Sequence, residues 1–131
     1  MQILKKKIRI LITGGTGFIG FHAVNYYVQQ GYSVRVFIRK NRGQKLQGIN
    51  GIDFAFGDMK DRESLLSATK NIDWVLNFAA AKSDEKDSYA INVKGVEYLL
   101  EGAKKNNVTQ IIHISTISTK IKQLGAYGET K

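Results

Sequence analysis

The eight residues Thr13-Gly14-Gly15-Thr16-Gly17-Phe18-Ile19-Gly20 constrain the fold of this chain more than any other stretch. Before them comes a short apolar run, Ile8, Ile10, Leu11 and Ile12. After them, from Gly17 to Gln30, Phe18, Ile19, Ala23, Val24, Tyr27 and Val28 recur at three- and four-residue spacing. The first pattern predicts a strand buried on both faces and ended by glycine; the second predicts an amphipathic helix with Gly31 at its C-terminal cap. A glycine loop in that context is suited to hold phosphate. Gly14 permits the tight turn, Gly17 lets the backbone approach a pyrophosphate with no Cβ in the way, and Gly20 lets the helix pack close to the sheet. The free N–H groups and the positive end of the helix then face the anion.

The same alternation continues along the chain. Val34, Val36, Phe37 and Ile38 predict a second strand ending at Arg39-Lys40, and Ile52, Phe54, Ala55 and Phe56 a third ending at Gly57-Asp58. The stretch between them, 41–51, is too short and glycine-rich for a helix. Asp61 is placed to cap a helix carrying Leu65, Leu66 and Ala68. A fourth strand spans 73–78, and a long helix around 89–106 presents Val93, Val96, Leu100 and Ala103 on one face. Ile111, Ile112 and Ile114 form a fifth strand that delivers Ser115 and Thr116 to its C-terminal end. Apolar strands separated by helices imply an α/β fold with a doubly wound parallel sheet, covered on both faces and joined by right-handed crossovers. We expect one domain over 1–131.

Composition narrows the function classes. The chain has 131 residues, a net charge of +9 and no cysteine, so a disulfide framework, a thiolate metal site and a cysteine nucleophile are excluded and a cytoplasmic location is expected. No apolar run reaches the roughly 18–20 residues of a membrane span. The excess of Lys and Arg suits acidic small molecules. It is scattered as Lys5-Lys6-Lys7, Lys40 with Arg42 and Lys45, and Lys104-Lys105, without the interleaved aromatics of an RNA-binding surface, so no specific nucleic-acid partner is expected.

A dinucleotide with an unmodified ribose is usually met by Asp or Glu at the end of the second strand. Here Arg39 stands 19 positions after Gly20, followed by Lys40. These cations suit a 2′-phosphate, so NADP is the preferred cofactor and NAD the second choice. Asp58 is placed to reach an adenine amino group while Met59 packs on the ring; ordinary turn chemistry explains Asp58 equally well.

TGGTGFIG at 13–20, GDMKD at 57–61, NFAAAK at 77–82, Asn92 within INVKG, HIST at 113–116 and YGETK at 127–131 together resemble the extended short-chain dehydrogenase/reductase family, the NAD-dependent epimerase/dehydratases, over essentially the whole chain. The resemblance implies a Rossmann fold in which Phe78, Ala79 and Ala80 line the dinucleotide. It also implies that Lys82 and Asn92 belong to the cofactor site, with Thr16, Phe18 and Ile19 of the loop and Ser115 beside Thr116. Thr116 matches the family's catalytic Ser/Thr, and Tyr127 with Lys131 its Tyr-x-x-x-Lys pair. That pair makes chemical sense by itself. Four residues apart on a helix, the Lys131 ammonium would lower the Tyr127 phenol's pKa, so that Tyr127 serves as acid or base beside a substrate hydroxyl or carbonyl.

Two departures qualify the match. Arg39 replaces the acidic residue of strictly NAD-using members, and the chain stops at Lys131, one turn into the helix that should carry the pair. We therefore expect the N-terminal part of a longer enzyme, truncated after about five strands and lacking the C-terminal substrate-binding region. Its parent would be an epimerase, dehydratase or carbonyl reductase transferring hydride on a nucleotide sugar or similar small molecule, with a homodimer in the intact enzyme. The fragment alone would bind dinucleotide and turn over poorly. The rival expectation is a non-catalytic NADP(H)-binding redox sensor or scaffold.

Overall fold

The computed structural model describes residues 6–81, 85–116 and 126–131. Five parallel strands form one sheet in the order β3-β2-β1-β4-β5: β1 Arg9–Thr13, β2 Ser33–Ile38, β3 Ile52–Phe56, β4 Trp74–Asn77 and β5 Gln110–His113. The order reverses between β1 and β4, so the strand tips on either side of that point diverge and leave a crevice. Helices α1 (Phe18–Gln29), α2 (Arg62–Ala68), α3 (Glu85–Tyr89) and α4 (Gly95–Lys105) supply the layers, and a short helix α5 (Ala126–Thr130) ends the chain.

The central strand shows how the two layers arise. Its successive side chains point to opposite faces, so Ile10 and Ile12 enter one core with Val24, Val34, Val36 and Leu76, beneath α1. Leu11 enters the other with Phe37, Leu65, Val75 and Leu99, beneath α2 and α4. All three are fully buried, and burial of each side chain contributes roughly 1.5–3 kcal/mol of transfer free energy.

The helix ends follow the sequence signals. Gly31 has φ +86°, and the Gly31 and Tyr32 amides donate to the carbonyls of Val28 and Tyr27, closing α1 in a Schellman motif. Asp61 caps α2 by accepting from the Glu63 amide at 3.2 Å. Asp61→Ala is expected to lower unfolding free energy by about 1 kcal/mol, measured by urea denaturation.

Three expectations need correction. First, Phe18 and Ile19 do not join the core: they are 78% and 59% exposed, because the first turn of α1 projects beyond the strand tips. Secondly, the edge strands are not covered on both faces. All four residues of β5 are exposed, as are Phe54 and Phe56 of β3, where a single 3-10 turn (Gln44–Leu46) replaces a crossover helix. Thirdly, α4 buries Gly95, Leu99, Gly102 and Ala103, and Leu100 faces outward. The five residues Ala90–Lys94 form a π-helical segment that shifts the helical phase ahead of α4. Close packing then selects the glycines. A Cβ on Gly95 would lie 2.8 Å from the Met59 carbonyl oxygen, and one on Gly102 would lie 2.6 Å from Thr69 Oγ1 of the segment following α2. Apolar periodicity is blind to that kind of contact.

Candidate dinucleotide site

The crevice at the strand tips is a cleft of about 930 Å³. Its floor is the glycine loop. Gly14 has φ +69°, in the left-handed region, and a Cβ there would sit 2.6 Å from the backbone of Phe78 and Ala79. The Gly17 amide donates to the Gly14 carbonyl at 3.1 Å, and α1 begins immediately, with the Phe21 amide donating to the Gly17 carbonyl at 2.9 Å. The amides of Phe18, Ile19 and Gly20 precede that first intrahelical bond. They open a 12-residue helix with no side-chain cap and no acidic residue in its first turn. An anionic group at this point meets free N–H donors and the positive end of a helix dipole, which is what a pyrophosphate requires.

The cleft is lined by Gly14, Thr16, Gly17, Phe18, Ile19, Gly20, Arg39, Asp58, Met59, Phe78, Ala79, Ala80, Tyr127 and Lys131, as the sequence suggested. Asp58 also makes the expected turn, its Oδ1 accepting from the Lys60 amide at 2.9 Å. Met59 reaches the cleft but is only 8% exposed, because its side chain lies against Gly95 of α4; it is chiefly a core residue. Lys82 lies outside the described residues.

Four anticipated site residues do not line the cleft. Lys40 begins a turn, closed by the Arg42 amide donating to the Arg39 carbonyl at 3.2 Å, and falls outside the lining. Asn41, at φ +62°, then turns the chain back and brings Arg42, Gln44 and Lys45 to the cleft. Lys45 Nζ donates to the Thr16 carbonyl at 3.4 Å and lies 4.7 Å above the Phe21 ring, so a second cation sits against the phosphate loop. The three-residue recurrence Arg39, Arg42, Lys45 was visible in the sequence, where it reads as scattered charge. Ser115 and Thr116 also fall outside the lining; Ile114 is the residue beyond β5 that reaches it.

Asn92 is the fourth. It is buried, 3% exposed, within the π-helical segment. Its Oδ1 accepts from the Ala81 amide at 3.0 Å, and its Nδ2 donates to the Ala81 carbonyl and to Thr130 Oγ1, each at 2.9 Å. The wider π turn aims this amide at the loop after β4. Asn92 therefore positions the cleft wall and ties it to α5.

That wall is held from two further sides. The Ala79 amide donates to Thr13 Oγ1 at 3.3 Å, and Lys131 Nζ donates to the Ala79 carbonyl at 3.4 Å. Burial pushes the Lys131 ammonium below its ordinary pKa, because its charged form loses water. Tyr127 precedes it by one helical turn, the Lys131 amide donating to the Tyr127 carbonyl at 3.1 Å. Across the mouth, Lys60 and Asp87 pair at 3.4 Å. The described residues hold no cluster of His, Cys, Asp or Glu fit for a metal ion, and among them no helix is long and apolar enough to cross a membrane.

Known proteins are similar to this chain in sequence and fold. Sterol demethylase protein B of Methylococcus capsulatus is 30% identical over 125 residues, 91% of this chain and 38% of its own length. The UDP-glucose 4-epimerase of Halalkalibacterium halodurans is 32% identical over 118 residues, 84% of this chain and 35% of its own length. A short-chain dehydrogenase/reductase superfamily protein from Agrobacterium tumefaciens, solved with bound NAD, superposes with a TM-score of 0.79 at 26% identity, over 94% of this chain and 42% of its own. The chain thus spans well under half the length of these relatives. Residues 10–123 match the model of one family, a span that begins in β1 and takes in the glycine loop, the β4 wall and the tip of β5. On that match the chain belongs to the NAD-dependent epimerase/dehydratase family.

Proposed function

We propose that this chain is the NAD(P)-binding part of an epimerase, dehydratase or carbonyl reductase acting on a nucleotide sugar or a similar hydroxy or keto compound. The observation that carries the reading is the meeting of Tyr127 and Lys131 with the glycine loop in one cleft. The loop amides and the N-terminus of α1 would hold the pyrophosphate, and Phe78, Ala79 and Ala80 would form the wall beside it. The bound nicotinamide supplies or accepts the hydride. Tyr127 would give a proton to, or take one from, the substrate oxygen. The Lys131 ammonium, half-buried and anchored on Ala79, would hold the ribose end of the cleft. Thr116, at the family's Ser/Thr position but outside the cleft lining, would have to turn in from beyond the tip of β5 to orient the same oxygen. Epimerase chemistry in the Halalkalibacterium relative and bound NAD in the Agrobacterium one support the class of reaction. Turnover would need the region beyond residue 131 that such relatives carry. A pure redox sensor has no use for an acid–base pair facing its cofactor, so we favour the enzyme.

NADP(H) is the preferred cofactor, because Arg39, Arg42 and Lys45 line the cleft at the end of β2 and no carboxylate follows that strand. Calorimetric titration is expected to show NADPH binding at least about tenfold more tightly than NADH, since each charge-assisted phosphate contact contributes about 1.5–3 kcal/mol. Pairing Arg39→Ala with Lys45→Ala should remove most of that margin. Equal or tighter NADH binding overturns the preference, and no binding of either overturns the dinucleotide reading.

A further inference from the structure

Beneath the cleft wall, a hydrogen-bond chain crosses three strand tips, from a buried pair to an exposed histidine. The Ala79 amide donates to Thr13 Oγ1 at 3.3 Å, the Thr13 hydroxyl donates to Asn77 Oδ1, and Asn77 Nδ2 donates to His113 Nδ1 at 3.0 Å. Thr13 and Asn77 are 0% and 1% exposed, so water does not replace the bond between them. With its Nδ1 accepting, His113 must be the neutral tautomer that carries its proton on Nε2. The direction of every bond in the chain follows from that one tautomer.

We propose that His113 is a pH-sensitive positioning residue for the cofactor wall, its neutral imidazole fixing Asn77, Thr13 and thereby Ala79. The inference deepens the dinucleotide reading and rests on it. A proton on Nδ1 turns that atom into a donor facing the donor Nδ2 of Asn77. With His113 held in place, a half-turn of the Asn77 amide relieves the clash, and it presents Nδ2 to Thr13 in place of Oδ1. The Thr13 hydroxyl then loses its acceptor in a site closed to water, and its grip on Ala79 must readjust.

The surroundings of His113 push in the same direction. Partial burial and the Lys131 ammonium, just after α5, hold the imidazole below its ordinary value of 6.5, against a smaller opposing effect from a hydrogen bond to the Lys131 backbone. Among the described residues Lys131 is the charged group that faces it from a neighbouring segment, and its β4 neighbour Asn77 is neutral. Because the folded state disfavours the imidazolium, the ordered wall is fully present above the ordinary value and is lost as pH falls through the lowered one.

The test uses the ligand-free chain first. In a ¹⁵N NMR titration from pH 8 to pH 5, His113 is expected to show the Nε2–H tautomer and a midpoint below the ordinary 6.5. The Asn77 side-chain and Ala79 backbone amides are expected to shift with the His113 midpoint, and H113Q should abolish that coupled shift while keeping a neutral acceptor. A His113 midpoint at or above 6.5, or Asn77 and Ala79 signals indifferent to it, overturns the proposal. NADPH titration then reads the consequence. Because the 2′-phosphate changes charge in the same window, the quantity compared is the difference between wild type and H113Q. Wild type should weaken about twofold to fourfold more between pH 7.5 and pH 5.5, since a midpoint held below 6.5 lies less than one unit above the lower pH and keeps the effect under about tenfold. Parallel curves overturn the link to the cofactor. Absence of NADPH binding at every pH overturns the dinucleotide reading instead, while the NMR titration still decides the role of His113.

Discussion

Gly20→Ala should cost this protein both its cofactor and much of its stability. A Cβ at residue 20 would lie 2.0 Å from the Gly14 carbonyl oxygen and 2.7 Å from its carbon, which is backbone and cannot rotate aside. Either α1 lifts from the loop or the loop loses its left-handed turn at Gly14; both misplace the amides that face the phosphates. We expect a loss of about 3 kcal/mol in urea denaturation, the upper end of what overpacking costs. NADPH affinity should fall more than about 100-fold, because a displacement of an ångström defeats hydrogen-bond geometry at several donors together. Gly48→Ala is the control. Nothing lies within 4 Å of its would-be Cβ, so stability should stay within about 0.5 kcal/mol and binding should not change.

The second large effect belongs to Asn92→Asp, which preserves shape and one acceptor while removing both Nδ2 donations. The carboxylate would still accept from the Ala81 amide, but its other oxygen would face the Ala81 carbonyl at about the present 2.9 Å spacing, buried and repelled. Expected destabilisation is about 2–4 kcal/mol at neutral pH, measured by urea denaturation. NADPH affinity should fall in parallel, since Ala81 continues the wall formed by Ala79 and Ala80. The exposed Asn50→Asp should change neither quantity. An Asn92→Asp protein as stable as wild type would show that the π-helical segment does not depend on this amide to hold the wall.

Much of the architecture is legible in the sequence because local signals agree with the tertiary answer. The run Ile10-Leu11-Ile12 reads as a two-sided buried strand and lies at the centre of the sheet; TGGTGFIG reads as a phosphate loop and forms the cleft floor; Asp61 and Gly31 read as caps and close their helices. What escaped depends on information that pattern does not hold. Arg42 and Lys45 reach the cleft only because Asn41 reverses the chain at positive φ. The buried face of α4 follows two glycines whose value lies in missing atoms. Asn92 acts through a π turn, and no residue type announces one. The polar chain from Thr13 to His113 joins residues up to 100 positions apart, so only the register of β1, β4 and β5 brings them together.

The placement of β5 at the sheet's edge has a consequence for how the site comes apart. β1 is hydrogen-bonded to a strand on each side, whereas β5 pairs with β4 and with no other strand among the described residues. Amide hydrogens of β1 should therefore exchange with solvent only in global unfolding, and those of β5 in smaller, more frequent openings. The glycine loop hangs from β1, whereas His113 and Ile114 hang from β5. In this chain a local opening at that edge would release His113 and Ile114 while the loop amides keep their places, so exchange at β5 should report on the His113 contacts separately from the phosphate-facing floor.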